Sequence, residues 1–261
     1  MSRPAGGLWD NTLTFNGVEL ASTYNAIVVH KQILNAPARS YTRLNIPAKN
    51  GVRYIDEGTF GNVTQSYTFA FPENFYKNYL DLKEYLLSVS NYAWLTEHFA
   101  GRAAMDRWYM QARFVSIVPN ADRKMDTGSA VVTFDRMPQR WDVDGNPTLK
   151  PANFYPIPED FPGGIIPNDS YYDAYPVFRC VGSGTFTLAQ NEVVLYRVTI
   201  ANNSEQYIDI DSETMDCYCG DTNCNMYVSL GMGFPVLHPG DTEFNATSGL
   251  TVTIAPRWWT I

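Results

Sequence analysis

Residues that mark chemistry are scarce in this sequence. Only three histidines, His30, His98 and His238, occur in 261 residues. None lies in a nucleophile or metal-ligand motif, and no G-x-S-x-G, Walker A or H-E-x-x-H pattern is present. That excludes the hydrolases, P-loop enzymes and zincins that announce themselves in this way, and it leaves each histidine with a structural role. Cysteine is also sparse: Cys180 stands alone, and Cys217, Cys219 and Cys224 share the segment DCYCGDTNC. The C-x-C-x4-C spacing lacks the C-x2-C pairs of structural zinc, so reduced thiols in a turn are the expectation. Zinc is the alternative, with a disulfide as a further state once the protein leaves a reducing compartment.

Positive charge is in deficit. With 19 Lys and Arg against 27 Asp and Glu the net charge is −8, and no basic cluster stands out. Nucleic acid and anionic membranes, both of which are bound through clustered cations, are therefore not expected as main partners. Long apolar runs are absent, so no membrane span is expected, and the opening MSRPAGGLWDN has no apolar signal core. The expectation is a protein made in the cytoplasm. No internal repeat of 20–50 residues points to a solenoid or propeller.

Aromatic residues, by contrast, are plentiful: 17 Tyr and 14 Phe, with 45% hydrophobic residues overall. Such a composition suits pleated, half-buried surfaces, and the length suits two domains. In the stretch 41–71, Asn50-Gly51 favours positive φ and a hairpin, while Tyr67, Phe69 and Phe71 alternate as on a half-buried strand. Between them Asp56, Glu57, Gly58, Phe60, Gly61 and Asn62 read as a polar, glycine-punctuated loop projecting from a sheet. From Phe75 the period changes: Phe75, Tyr79, Leu82, Leu86 and Val89 recur at helical spacing. Asn74 is the candidate N-cap, and the helix is expected to cover strands near 93–95, 108–118 and 130–134.

Half of the 16 prolines fall within residues 137–176, which reads as a junction lying docked along a surface. Beyond it, short strands are expected at 177–181, 185–189, 193–200, 207–211, 226–230 and 250–254, a sandwich pattern. Within that part Asp209, Asp211 and Glu213 alternate with Ile208, Ile210 and Ser212, so the acids share one strand face. Three like charges on one face repel, which solvent relieves as well as a bound Ca2+ ion would. Trp258 and Trp259 read as closing a core, with sugar stacking the alternative.

The run NIPAKNG with Tyr54, Gly58, Phe60 and Asn62, then IDIDSETMDCY (208–218), FPVLHPG (234–240) and PRWW (256–259), resembles in order and rough spacing the siphophage distal tail proteins. The resemblance covers both ends of the chain. It implies a mainly β protein with one amphipathic helix, an N-terminal α+β ring-forming domain followed by a C-terminal galectin-like β-sandwich. Domains are then expected at 1–137 (ring and tube docking), 138–176 (Pro-rich junction) and 177–261 (sandwich). It implies a structural, non-enzymatic virion protein without cofactor or metal: a homohexameric hub at the tip of a long non-contractile tail, assembled in the host cytoplasm. Its partners would be the major tail tube protein, a tail-associated lysin or tail fibre, and receptor-binding or other baseplate proteins, with DNA passing through the lumen unbound and no membrane. At this length there is no room for a large inserted carbohydrate-binding module. Arg53, Asp56, Glu57, Phe60 and Asn62 are the expected subunit-contact residues. The competing classes are a carbohydrate-binding adhesin module and, after it, an enzyme degrading cell-wall glycan.

Overall fold

The computed structural model describes residues 11–31, 35–98, 108–122, 126–142, 154–157, 159–201 and 207–261. The chain divides into two compact units, residues 1–140 with Ile261, and residues 141–260.

The first unit opens with strands β1 (Thr12–Phe15) and β2 (Val18–Glu19), followed by a single helical turn, α1 (Leu20–Thr23), and β3 (Ile27–Lys31). Asn16 and Gly17, both at positive φ, make the two-residue β1–β2 turn that an Asn-Gly pair favours. Next come β4 (Arg39–Asn45), β5 (Val52–Phe60), β6 (Val63–Phe71), helix α2 (Phe75–Ser88), β7 (Ala93–His98), β8 (Trp108–Asp122) and β9 (Thr127–Asp142). The main sheet has the order β2-β1-β7-β8-β9-β6-β3, and β4 and β5 pair only with each other. On β6 the alternation buries Val63, Gln65, Tyr67, Phe69 and Phe71. Against them α2 buries Phe75, Leu82 and Leu86, with Tyr79, Tyr85 and Val89 packed alongside.

The start of α2 departs from expectation. Asn74 occupies the N-cap position but sits in the left-handed region at φ 49° and makes no side-chain cap. The Asp126 carbonyl accepts the first helical amide, that of Phe75, at 3.0 Å, so the β8–β9 connection caps the helix. The same corner explains Gly128, where an added Cβ would stand 2.7 Å from the Phe75 ring and 2.9 Å from the Asn120 carbonyl.

The second unit contains β10 (Tyr155–Ile157), β11 (Ile165–Asn168), β12 (Val177–Gly182), β13 (Gly184–Gln190), β14 (Val193–Ile200), β15 (Ile208–Asp211), β16 (Asp216–Cys219), β17 (Thr222–Asn223), β18 (Val228–Leu230), β19 (Gly240–Ala246), β20 (Leu250–Ala255) and β21 (Trp259–Thr260). Two antiparallel sheets, β10-β20-β12-β15-β16-β17 and β11-β19-β13-β14-β18, share one core. Phe178, Phe186, Leu188, Ile208, Ile210, Val252 and Ile254 fill it, the alternate inward positions of a sandwich. The proline-rich stretch contributes β10 with Pro156 and β11 with Pro167, each at the edge of its sheet. An edge is where a strand tolerates a residue that cannot donate to the ladder.

One expectation is overturned here. Asp209 and Asp211 are buried, 5% and 2% exposed, instead of solvated. The Arg179 guanidinium grips Asp209 with two hydrogen bonds of 2.7 Å and lies 4.3 Å from the ring centres of both Phe154 and Tyr207. Arg257 grips Asp211 at 2.6 and 2.9 Å and reaches Glu213 at 3.1 Å. Like charges that would repel on one face are neutralised by arginines distant in sequence. Among the described residues no three or more His, Cys, Asp or Glu side chains gather as a metal-holding cluster.

Candidate functional site: a two-stranded arm

β4 and β5 form an arm whose register runs Tyr41↔Asp56, Thr42↔Ile55, Arg43↔Tyr54, Leu44↔Arg53 and Asn45↔Val52. The connection spans residues 46–51, with Ala48 and Gly51 at positive φ, a longer turn than Asn50-Gly51 alone would make. Every residue from Tyr41 to Thr59 is exposed except Val52, which is half-buried. Directly opposed residues share a face. One face therefore carries Tyr41, Arg43, Tyr54 and Asp56, the other Thr42, Leu44, Arg53 and Ile55, and both faces are partly apolar. Tyr41 and Tyr54 meet edge to face at 6.2 Å but remain 53% and 62% exposed. A two-stranded ribbon that covers neither of its faces is at best marginally stable in water. The distal part, residues 41–55, carries Arg43, Lys49 and Arg53 and no acid, on a chain of net charge −8.

The expected contact residues divide into three places. Asp56, Glu57 and Phe60 are not in a projecting loop but within β5, at the root of the arm, where the register slips between Arg39 and Tyr41. There Arg39 pairs with Asp56 at 2.6 Å and lies 5.5 Å over the Phe60 ring, and Thr42 donates to Glu57. The Gly58 amide and then Arg39 hold the Asp56 carboxyl below its ordinary range. Arg53 stands further out, opposite Leu44, away from that cluster. Asn62 belongs to the main body: its side-chain amide donates to the Tyr92 hydroxyl at 2.7 Å and to Asp135 at 2.9 Å. Tyr92 in turn donates to Asp135, which with burial pushes its own ionisation up.

The chain leading into the arm is held at Asn35 by a buried network. Arg136, fully buried, donates to Gln65 and to the carbonyls of Met137, Pro138 and Asn35, each at 3.2 Å. Burial first, then the nearby charge of Arg140, lowers its pKa to about 10, which still leaves it a cation at neutral pH. Gln65 and Tyr67 both donate to buried Glu97. Sequence reasoning missed this network because Gln65 sits in an apolar alternation and Glu97 and Arg136 come from separate strands. It also missed Tyr41, Leu44 and Ile55, since apolar residues on a strand give no sign that no second layer covers them.

In the second unit the sequence motifs are joined physically. Arg257 of PRWW pairs with Asp211 of IDIDSET, and His238 of FPVLHPG meets Asp173 at 2.8 Å. Trp259 donates to the Asp173 carbonyl at 2.8 Å and stacks on Tyr172 at 4.4 Å, so one face of its ring is occupied by protein. Trp258 packs on the sandwich core. The side chains of His30 and His98 lie outside the described residues. No described helix is long and apolar enough to cross a membrane.

No family model and no curated protein matches this sequence. The fold itself, a helix-backed antiparallel sheet bearing a two-stranded arm and followed by a β-sandwich, has a counterpart among the hub proteins of phage adsorption apparatus. That counterpart is the Dit protein (gp 19.1) of SPP1, described as a paradigm of the hub adsorption apparatus in phages infecting Gram-positive bacteria. It matches with a TM-score of 0.66 over 96% of this chain and 99% of its own, at 11% identity. The chain has the Dit fold, as its sequence motifs imply.

Proposed function

We propose that the chain is a structural subunit of a phage tail tip, six copies of which close into a ring that joins the tail tube to a tail-associated lysin or fibre and to receptor-binding proteins. In this reading residues 1–137 make the ring and dock the tube, and the sandwich, to which β10 and β11 of the proline-rich stretch 138–176 belong, carries attachments, while DNA passes through the lumen without specific binding. The observation that carries the proposal is the arm, with large apolar residues exposed on both faces and a basic distal half. Its occupant is a second copy of this chain: the subunit is acidic overall, which complements the arm, and each subunit both offers an arm and receives one. Such a head-to-tail contact closes into a ring when the rotation permits. The match to a phage hub protein over nearly the whole length of both chains supports the same role.

The deciding measurement is the mass of the native assembly by light scattering or native mass spectrometry. Six copies, retaining no duplex DNA on a filter, are expected. A stable monomer at micromolar concentration would overturn the reading.

A further inference from the structure

We propose that Cys217 and Cys224 form a dithiol site that oxidises to a single cross-strand disulfide, latching the edge hairpin of the sandwich. The hairpin register pairs Tyr218 with Asn223 and Cys219 with Thr222 around Gly220-Asp221, with Gly220 at φ 57°. One step further the Cys224 amide donates to the Cys217 carbonyl at 2.7 Å while the Cys217 amide donates to the Asn225 side chain, so the two cysteines adjoin at the end of the hairpin through one of the two bonds of a facing pair. Facing hydrogen-bonded residues of an antiparallel pair have Cα atoms about 5.5 Å apart. A disulfide accepts roughly 4.4–6.8 Å. Both thiols lie in the sandwich core, 1% and 0% exposed, so the side chains point to the same side of the hairpin.

The other pairings fail on distance. Cys180 on β12 is separated from Cys217 on β16 by the intervening β15, which puts it about 9.5 Å away at the usual strand spacing. Cys219 faces Thr222 and is only a diagonal neighbour of Cys224, at about 7–8 Å, beyond the range of an unstrained bridge.

In the closed hairpin the pair is inert. Burial, then the charges of Asp216 and Cys224, push the Cys217 thiol up to about 12, so almost no thiolate exists at neutral pH. Reaction therefore waits on opening of the hairpin, which β17 makes easy: it is a two-residue strand, exposed, at the edge of its sheet. The oxidant is a low-molecular-weight disulfide. In the opened hairpin one cysteine loses its proton and its thiolate attacks a sulfur of that disulfide, expelling one small thiolate and leaving a mixed disulfide. The second cysteine, deprotonated, attacks the protein sulfur of that bond and expels the other small thiolate. The two cysteines lose two electrons and two protons, and the small disulfide becomes two thiols.

The test uses the reduced full chain incubated with oxidised glutathione. Thiols are counted after denaturation, and the alkylated peptide spanning 217–224 is sequenced by mass spectrometry. Two of the four thiols are expected to disappear, with that peptide lighter by two hydrogens, free of glutathione, and Cys180 and Cys219 alkylated. The thermal midpoint should rise by roughly 5 °C and fall back on reduction. Cys219→Ser and Cys180→Ala should keep the product, and Cys224→Ala should abolish it. Since the core variants can disturb folding, the wild-type peptide map decides. A bridge to Cys180 or Cys219, a glutathione adduct as the end product, or four free thiols after unfolding and refolding in the oxidant would each overturn the proposal.

Discussion

Asp211 stands where two stretches of chain some 46 residues apart are tied together. Burial alone would raise its pKa, but the bidentate grip of Arg257, with the Thr214 and Glu213 amides, more than offsets this and holds the carboxyl below its ordinary value. Arg257 itself stands at φ 54°, a left-handed conformation unfavourable to a residue with a Cβ. A carboxyl whose folded pKa lies below its unfolded value contributes stability that is complete above the unfolded pKa, about 3.9, and is lost as the pH falls through the folded value. Asp211→Asn is therefore expected to lower stability at pH 7 by about 3 kcal/mol, because it leaves a largely buried guanidinium short of its partner. The deficit against wild type should shrink below pH 4. Urea unfolding of both proteins between pH 3 and 7 checks this, and a pH-independent difference would contradict it. That pairing was not legible beforehand. Alternation on β15 places the acids on one face, but nothing near Asp209 or Asp211 in sequence announces Arg179 or Arg257, so the sequence alone implies a solvated face.

At the scale of elements, those whose partners lie close in sequence were legible. The period of α2 and the alternation of β6 follow from residues within the element, and the β4–β5 hairpin from its own turn. Misreadings cluster where geometry depends on a distant neighbour. Asp56 to Phe60 looked like a loop because Gly58 and two acids interrupt the strand, yet β5 continues through them, with Gly58 at φ 70° absorbing the register slip. Strands β16 and β19 are not evident in the sequence because DCYC runs straight into the turn formers GDTN and GDTEFNA itself carries Gly, Asp and Asn, while Cys217, Thr242 and Phe244 are inward-facing positions. The arm's exposure has a direct consequence for assembly. Tyr41, Tyr54 and Ile55 cover little within their own chain, so replacing all three by Ser should leave the thermal midpoint of the isolated subunit within about 2 °C. If each side chain buries its area against a second copy at roughly 1.5 kcal/mol, the triple variant weakens association by roughly 1000-fold or more. Sedimentation of the variant as monomer at concentrations where wild type is hexameric is the expected outcome, and an unchanged hexamer would remove the arm from the interface.

For the whole molecule, the proposed ring would be subject to two electrostatic effects of opposite sign. In the proposed ring, six subunits of net charge −8 would repel one another, whereas Arg43, Lys49 and Arg53 would attract an acidic neighbour across a contact of a few ångströms. Ionic strength separates the two by range. At about 0.01 M the screening length is about 30 Å and repulsion between whole subunits is felt; at about 0.15 M it is about 8 Å and contact pairs dominate; at about 1 M it is about 3 Å and even these fade. The assembly constant should therefore pass through a maximum near 0.1–0.2 M salt. Charge reversal of the arm, Arg43→Glu with Lys49→Glu and Arg53→Glu, turns the local attraction into further repulsion. For that variant the maximum should vanish, association rising steadily with salt from a weaker start. Sedimentation equilibrium across the salt series distinguishes the curves, and a maximum that survives the reversal would show that the cations of the arm do not face the neighbouring subunit.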